Sequence, residues 1–446
     1  MKEESIMMKT GRGIVKLGIG LLLFLLAACG SGNEGNAGSI DTASKAEGAV
    51  QPREPAELVI YSTSGWSEDM FNGVFGDSIR QKFPQHTIKY IQSQKGSTYP
   101  DLIAAGTPID IVWESVSQFT SGPLQYKMQS DMTAMIKQRN IDLNRFDPSM
   151  IEAMRTMSEG KLYALPVLNN TLVLFYNKDL FDKFGVPYPK DGMNWDQVID
   201  LNKKMTRTDG STQYLGLAFS AGHNFRLNSF SLPYLDPATG KATVNNGKWN
   251  PLYQTLFVKP VESSAIYKDY VTDKGAPSTS AFTKDKIAAM YAALANGMST
   301  VTDMQWDLVS YPTFKEAPGI GPQPYPTYFG LSAISKHKEQ AMDVIQYLIS
   351  DEFQVSVSRR GNPPAIRNDA TQKTFGVDSD YYRNRNAQAL FYNKAAALAP
   401  KSFFDGKLES FYLAYVKDLA TGKLDLNTML RTADEKANQY IAENKK

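Results

Sequence analysis

Short apolar runs bounded by turn residues alternate along this chain with stretches whose apolar residues recur every three or four positions. Leu58 to Tyr61, Thr87 to Ile91, Ile109 to Trp113, Leu172 to Tyr176 and Leu215 to Phe219 read as buried strands of an α/β sheet. Ala341, Val344, Ile345 and Leu348 stand at offsets of 0, 3, 4 and 7, as do Leu408, Phe411, Tyr412 and Tyr415, so each set lays one apolar stripe along a helix. Asn194 precedes Trp195, Val198, Ile199 and Leu201 and is placed to cap another helix. This alternation predicts doubly wound α/β layers. There is no internal repeat and no heptad pattern.

The amino terminus follows a different pattern. Lys9, Arg12 and Lys16 form a basic head, and Leu17 to Ala28 form an apolar run of twelve residues, the arrangement of a secretory signal. Twelve residues are too few for a membrane helix, which needs about 20. Leu26-Ala27-Ala28-Cys29 resembles the lipobox of bacterial lipoproteins, where the signal is cut before the cysteine and the cysteine is acylated. The competing role for Cys29 is a buried free thiol. Two acyl chains anchor a protein firmly where one holds only marginally. Cys29 is the single cysteine of the 446 residues, so no internal disulfide can form.

Residues 30–56 are rich in Gly, Ser, Ala, Asn and Glu, a composition that cannot repay its ordering entropy and reads as a flexible tether. The remaining 390 residues suit two domains better than one core. Loss of residues 1–28 removes four basic and two acidic residues from totals of 48 and 46, which leaves 44 of each sign. A neutral chain argues against nucleic-acid binding and against a polybasic membrane patch. It also argues against capturing a ligand by net charge.

Motifs of catalysis are scarce. His86, His223 and His337 lie too far apart for a metal-ligand spacing. No GxSxG elbow occurs, and no glycine pair continues as GxGxxG between a strand and a helix. Asp378-Ser379-Asp380 lacks the glycine and the later glutamate of a calcium loop. No metal or cofactor is expected. A pair of carboxylates of the glycosidase kind remains open, because the fold rather than the spacing brings such pairs together.

The fullest signal runs from Gly160-Lys161-Leu162-Tyr163-Ala164-Leu165-Pro166 through Asn169-Asn170-Thr171 to Tyr176-Asn177-Lys178-Asp179-Leu180-Phe181. With it the chain resembles the bacterial extracellular solute-binding proteins of family 1, which include the maltose-binding protein and other carbohydrate receptors of ABC importers. Further stretches keep the family order. They are Ala105-Gly106-Thr107-Pro108 before Ile109-Asp110-Ile111-Val112, Asn194-Trp195-Asp196-Gln197, Phe282 to Met290, Leu331 to Leu348 and Gly361 to Pro364. The resemblance implies a periplasmic-binding-protein-like fold, two α/β lobes joined by a hinge with a ligand cleft between them. It places the first lobe at 57–168 plus 331–395 and the second at 169–330 plus 396–446. It also implies a monomer held at the outer face of the bacterial cytoplasmic membrane, which closes over a sugar or oligosaccharide and delivers it to the transmembrane subunits of an ABC permease. The alternatives are a surface-anchored enzyme acting on carbohydrate, and a receptor for a peptide or another polar solute.

A sugar offers an apolar C–H face and a rim of hydroxyls, so its receptor needs aromatic platforms together with amide, carboxylate and guanidinium groups. Trp66 follows the first strand at the carboxyl end, where open α/β sheets place their ligands, and stacking there competes with packing between strand and helix. Asp110, Trp113 and Glu114 end another strand on the same rim, with a structural turn as the other role for Asp110. The resemblance puts Asn169 and Asn170 at a crossing between lobes, where turn geometry is the competing role and where the maltose-binding protein has a carboxylate. His223, Asn224, Phe225, Asn296 and Trp306 are second-lobe candidates, each open to a scaffold role. Asn362, with its neighbours Gly361 and Pro363, and Phe403, with Phe404, complete the aligned set.

Overall fold

The computed structural model describes residues 53–298 and 301–445. Cys29, the apolar leader and nearly all of the expected tether lie outside the described residues. The first sheet opens with β1 (Glu57–Ser62), β2 (Thr87–Gln92) and β3 (Ile111–Ser115), in which β1 runs parallel to both neighbours, and it ends at β4 (Leu165–Asn170). Only Thr171 separates β4 from β5 (Leu172–Asn177), which belongs to a second sheet with β6 (Arg207–Asp209) and β7 (Thr212–Phe219). After a two-stranded ribbon, β8 (Leu235–Asp236) and β9 (Lys241–Ala242), the second sheet is completed by β10 (Ala288–Leu294) and β11 (Trp306–Ser310) in the order β11-β5-β10-β7-β6. β12 (Ile320–Gly321) then leads to β13 (Tyr325–Leu331), which returns to the first sheet and lies antiparallel between β3 and β4. β14 (Lys394–Ala395) pairs with β12. Both sheets carry helices, and the architecture is α/β with two sheets, as the alternation of the sequence predicts.

The strands are apolar on consecutive positions because both faces of each sheet are covered. In β5, Leu172, Leu174 and Tyr176 join one core while Val173 and Phe175 join another on the opposite face. In the first sheet, Ile111 and Trp113 point into the main core and Val112 into a smaller cluster with Tyr61 and Tyr99. The helix Trp195–Met205 starts as expected, with a reciprocal cap: the Gln197 N–H donates to Asn194 Oδ1 at 3.0 Å, and the Asn194 N–H donates to Gln197 Oε1 at 2.9 Å. The stripe ending at Tyr415 is interrupted instead. Its helix, Asp405–Leu413, stops before Tyr415, which caps a separate helix Val416–Thr421.

The expected lobe boundaries need one correction. Phe375, Tyr382, Ala389 and Leu390, assigned above to the first lobe, pack with Phe175 and Trp306 on the second sheet, and Leu398 packs in the first core. Polar contacts hold that segment down: the Tyr381 and Tyr382 hydroxyls donate to the Ala295 carbonyl at 2.8 and 3.1 Å, and the Arg385 guanidinium lies 3.8 Å over the Trp306 ring. The chain therefore passes between the two bodies five times, at Thr171, at 322–324, at 367–374, at 392–397 and before Leu408. Among the described residues no helix is long and apolar enough to cross a membrane, and no group of three or more His, Cys, Asp or Glu could hold a metal ion.

Gly330 lets β13 approach the loop that leads into β4, since a Cβ there would stand 2.3 Å from the Tyr163 carbonyl oxygen and 3.0 Å from Ala164 Cβ. Gly330→Ala is expected to lower stability by about 1–3 kcal/mol through overpacking against backbone. A urea unfolding midpoint equal to that of the parent would show that the contact relaxes freely.

Candidate functional site

Parallel β1 and β3 end at the same sheet edge, so the loops that leave them share one rim. The β3 strand runs into Ser115-Val116-Ser117-Gln118, where the Ser115 hydroxyl donates to Gln118 Oε1 at 3.0 Å. Across from this rim, β7 ends at Phe219, and Ser220 precedes the helix Ala221–Arg226. The helix Asp405–Leu413 lies beside it. Ser117, Gln118 and Ser121 from the first body, and His223, Arg226, Tyr234, Asp405, Gly406 and Glu409 from the second, surround a cavity of about 410 Å³ with Tyr325 of β13 between them. That volume is in the range of sites for small ligands.

Two charged side chains of the cavity, Arg226 and Glu409, are paired with each other. Arg226 grips Glu409 with two bonds, Nε to Oε2 at 3.0 Å and Nη2 to Oε1 at 2.8 Å, and the Tyr234 hydroxyl donates to Glu409 Oε2 at 2.9 Å. Arg226 Nη1 also donates to the Tyr325 hydroxyl at 3.3 Å, which donates onward to Ser115 Oγ at 3.3 Å. One hydrogen-bonded chain thus links Glu409, Arg226, Tyr325, Ser115 and Gln118 from wall to wall. Burial, with the Arg226 charge beside it, pulls the His223 imidazole down to about 4, so the ring is neutral at ordinary pH, with Nδ1 2.8 Å from Ser220 Oγ. Burial raises the Asp405 carboxyl, which accepts the Ser402 N–H at 3.1 Å, and Lys401 opposes that shift. The Ser117 hydroxyl is buried and has no partner among the described residues.

Of the residues singled out from the sequence, His223 alone lines this cavity. Trp66 stands at the carboxyl end of β1, partly buried, with its ring stacked 6.0 Å from Phe75 and edge-on 5.0 Å from Trp113. Three candidates are corrected to scaffold. Asp110 is buried, and its carboxylate accepts the Val59 N–H at 2.9 Å and the Ser335 hydroxyl at 2.6 Å while its own N–H donates to the Val59 carbonyl at 2.8 Å. Trp113 is stacked 5.8 Å from Phe329 in the first core, and Trp306 is buried under Arg385. Glu114 is buried just beneath the rim, where Thr63 donates its N–H to Oε1 and its hydroxyl to Oε2, both at 2.7 Å.

Asn169 is buried and accepts the Tyr325 N–H at 2.9 Å, so it positions a cavity residue without facing the cavity. Asn170 Nδ2 donates to Asn296 Oδ1 at 3.0 Å, a contact between the ends of β4 and β10. Asn224 and Phe225 are buried in the second body. Asn362 follows the helix Asp351–Arg359, its N–H donating to the Val357 carbonyl, and Phe403 is 53% exposed beside Phe404. The residues missed were Arg226, Glu409, Tyr234, Tyr325, Gln118 and Ser117. Arg226 lies one turn after His223 and could have been found from it. Glu409 lies 183 residues away, and no local signal joins the two.

The family described as bacterial extracellular solute-binding protein matches residues 68–355. Curated relatives include binding proteins of Brucella abortus (strain 2308) and Brucella suis biovar 1 (strain 1330), each 24% identical over 263 residues, which are 55% of this chain and 58% of theirs. The match therefore spans little more than half the length of those relatives. Among solved structures, a sugar transporter from Rhizobium etli in an open conformation superimposes with a TM-score of 0.64 at 20% identity, covering 85% of this chain and 98% of that one. An ABC substrate-binding protein from Listeria monocytogenes in complex with cycloalternan gives 0.63 at 17% identity, covering 87% and 99%. UgpB from Mycobacterium tuberculosis in complex with glycerophosphocholine gives 0.61 at 15% identity, also covering 87% and 99%. At these identities the likeness is one of fold.

Glu114 supplies a pH test of the rim. Burial pushes its carboxyl from an ordinary 4.5 up to about 8, against the opposing donors of Thr63. The folded state then keeps a proton that the unfolded chain releases, so this group's contribution is complete below its unfolded value and is lost as pH rises through about 8. Glu114→Gln is expected to remove that decline, read as the difference in urea midpoint between acid and alkaline buffer. A variant whose midpoint falls in parallel with the parent would assign the decline to another group.

Proposed function

We propose, because the chain belongs to the bacterial extracellular solute-binding protein family, that it captures a sugar or oligosaccharide by closing its two lobes and delivers it to an ABC permease. The observation that carries this reading is the cavity, where hydrogen-bonding side chains from two separate bodies face one space. A ligand favours closure only through contacts that exist when both walls touch it. The internal pairing of Arg226 with Glu409 and the neutral His223 suit an uncharged, hydroxyl-rich solute, since the cavity's one guanidinium is already committed to a carboxylate. Gln118 and Ser117 supply donors and acceptors for such a rim.

The same geometry weighs against hydrolysis. A glycosidase sets its two carboxyl groups on either side of the scissile bond. Asp405 and Glu409 stand one turn apart on a single helix, and Glu409 is committed to Arg226 and Tyr234. Cys29 fits a diacylated anchor with residues 30–56 as its leash, which would hold a monomeric receptor at the outer face of the cytoplasmic membrane and near its permease at high effective concentration.

Titration calorimetry of the full-length chain against a panel of neutral oligosaccharides, with glycerophosphocholine as the non-sugar arm, tests the reading. One oligosaccharide is expected to bind at unit stoichiometry without product, and Gln118→Ala is expected to weaken it by about tenfold, the loss of roughly one hydrogen bond. Turnover of a saccharide, or heat from glycerophosphocholine alone, would overturn it. For the anchor, Cys29→Ala is expected to leave that affinity unchanged while the protein moves from the detergent-extracted membrane fraction to the medium. Retention of the variant in the membrane would remove Cys29 as the anchor.

A further inference from the structure

An asparagine followed by glycine is open to attack by its own backbone. The glycine nitrogen adds to the side-chain carbonyl carbon and closes a five-membered ring, and a glycine without Cβ leaves that approach clear. Three such pairs occur in this chain, Asn72-Gly73, Asn246-Gly247 and Asn296-Gly297. In the ring, the asparagine Cβ and the incoming nitrogen are nearly eclipsed about the bond from Cα to the backbone carbonyl carbon. A segment held in a helix, or by the N–H that must attack, reaches that arrangement only by opening locally.

The fold holds two of the pairs away from it. Asn72 lies within the helical run from Glu68 to Lys82, with φ −61° and ψ −48°, and its Oδ1 accepts from Arg80 Nη1 at 2.9 Å. Gly297 donates its N–H to the Leu294 carbonyl at 2.7 Å, and Asn296 Oδ1 accepts from Asn170 Nδ2 at 3.0 Å. Asn246 differs. Residues 245–248 are exposed and outside any helix or strand, and a Cβ on Gly247, whose φ is +78°, would meet nothing within 4 Å. Among the described residues the Gly247 N–H donates to no protein group. The Asn246 side chain receives one bond, from the Lys248 N–H to Oδ1 at 3.0 Å. That donor stands at the oxygen where negative charge gathers during attack, and it leaves the departing Nδ2 free.

We propose that Asn246 is a site of spontaneous modification, at which the Gly247 nitrogen converts the side-chain amide to a succinimide and then to aspartate and isoaspartate. Hydroxide removes the Gly247 amide proton, and the nitrogen bonds to Asn246 Cγ. The Cγ–Nδ2 bond breaks, and Nδ2 takes a proton from water and leaves as ammonia. One water then opens the ring: cleavage of the new bond gives aspartate, and cleavage of the original peptide bond gives isoaspartate. The balance is water in and ammonia out. Either product sets a carboxylate in the loop that seats a helix of the solute cavity, since the Thr243 and Val244 N–H groups donate to the Tyr412 hydroxyl at 2.7 and 3.0 Å and Trp249 stands edge-on 5.3 Å from Tyr412. Isoaspartate also lengthens the backbone between those anchors by a methylene.

The test ages the full-length chain in warm, mildly alkaline buffer and follows aspartate and isoaspartate at each pair by peptide mass spectrometry with electron-transfer fragmentation. Modification at Asn246 is expected to run at least about tenfold faster than at Asn72 or Asn296, as local opening worth about 1.4 kcal/mol at the protected pairs would impose. The rate at Asn246 is expected to rise with pH, because the attacking nitrogen must lose its proton. In concentrated urea the three rates are expected to converge, which separates control by the fold from control by the dipeptide. Equal rates at the three pairs in the folded protein, or an Asn246 that stays intact there while it reacts in urea, would overturn the proposal.

Discussion

The strand β13 ties this molecule together, because the first sheet has no continuous path from β3 to β4 without it. Thr327 to Leu331 pair with Ser115 to Ile111 on one side, and Phe329 and Tyr328 pair with Leu165 and Pro166 on the other. The strand that fills this gap is the one that has just left the second body. Its first residue, Tyr325, packs against both large cores, and its hydroxyl stands in the chain between Arg226 and Ser115. A backbone requirement of the first sheet therefore delivers the side chain at the centre of the cavity. Asn169, at the end of β4, holds the Tyr325 N–H and fixes where that side chain starts.

Charge is arranged around the same point. The Arg226–Glu409 pair is only partly exposed, 23% and 13% at its side chains, which makes it a better held pair than those on the surface, where an ion pair contributes roughly 0–1 kcal/mol. Its partners Tyr234 and Tyr325 satisfy further lone pairs and donors, as a pair withdrawn from water requires. The outcome is a wall with strong hydrogen-bonding directionality whose guanidinium is already neutralised.

Much of the fold was legible because it is local. Leu58–Tyr61, Thr87–Ile91, Leu172–Tyr176 and Leu215–Phe219 fall within observed strands, and Asn194 caps its helix in a reciprocal box with Gln197. β13 was not legible, since Tyr325-Pro326-Thr327-Tyr328 carries a proline and neither alternates cleanly nor forms a long apolar run. The packing of 375–391 on the second sheet was hidden for a related reason: it rests on tyrosine hydroxyls reaching the Ala295 carbonyl and on Arg385 over Trp306, contacts that span about 80 residues and leave no periodic trace. At the site, aromatic residues misled. Trp113 and Trp306 are flat enough to stack on a sugar, but their burial makes them core, and tryptophan in a sequence does not reveal which. The polar residues that do line the cavity are ordinary serine, glutamine, arginine and glutamate, meaningful only once the fold has gathered them.

Capture of a solute as proposed requires the two walls around Tyr325 to move together. Spin labels at Gln125→Cys and Ser410→Cys, both at exposed positions near opposite walls, in a Cys29→Ser background, would report that movement as a distance by pulsed electron resonance. A shorter and narrower distance distribution is expected when a saturating oligosaccharide is added. A distribution unchanged at full occupancy would contradict it.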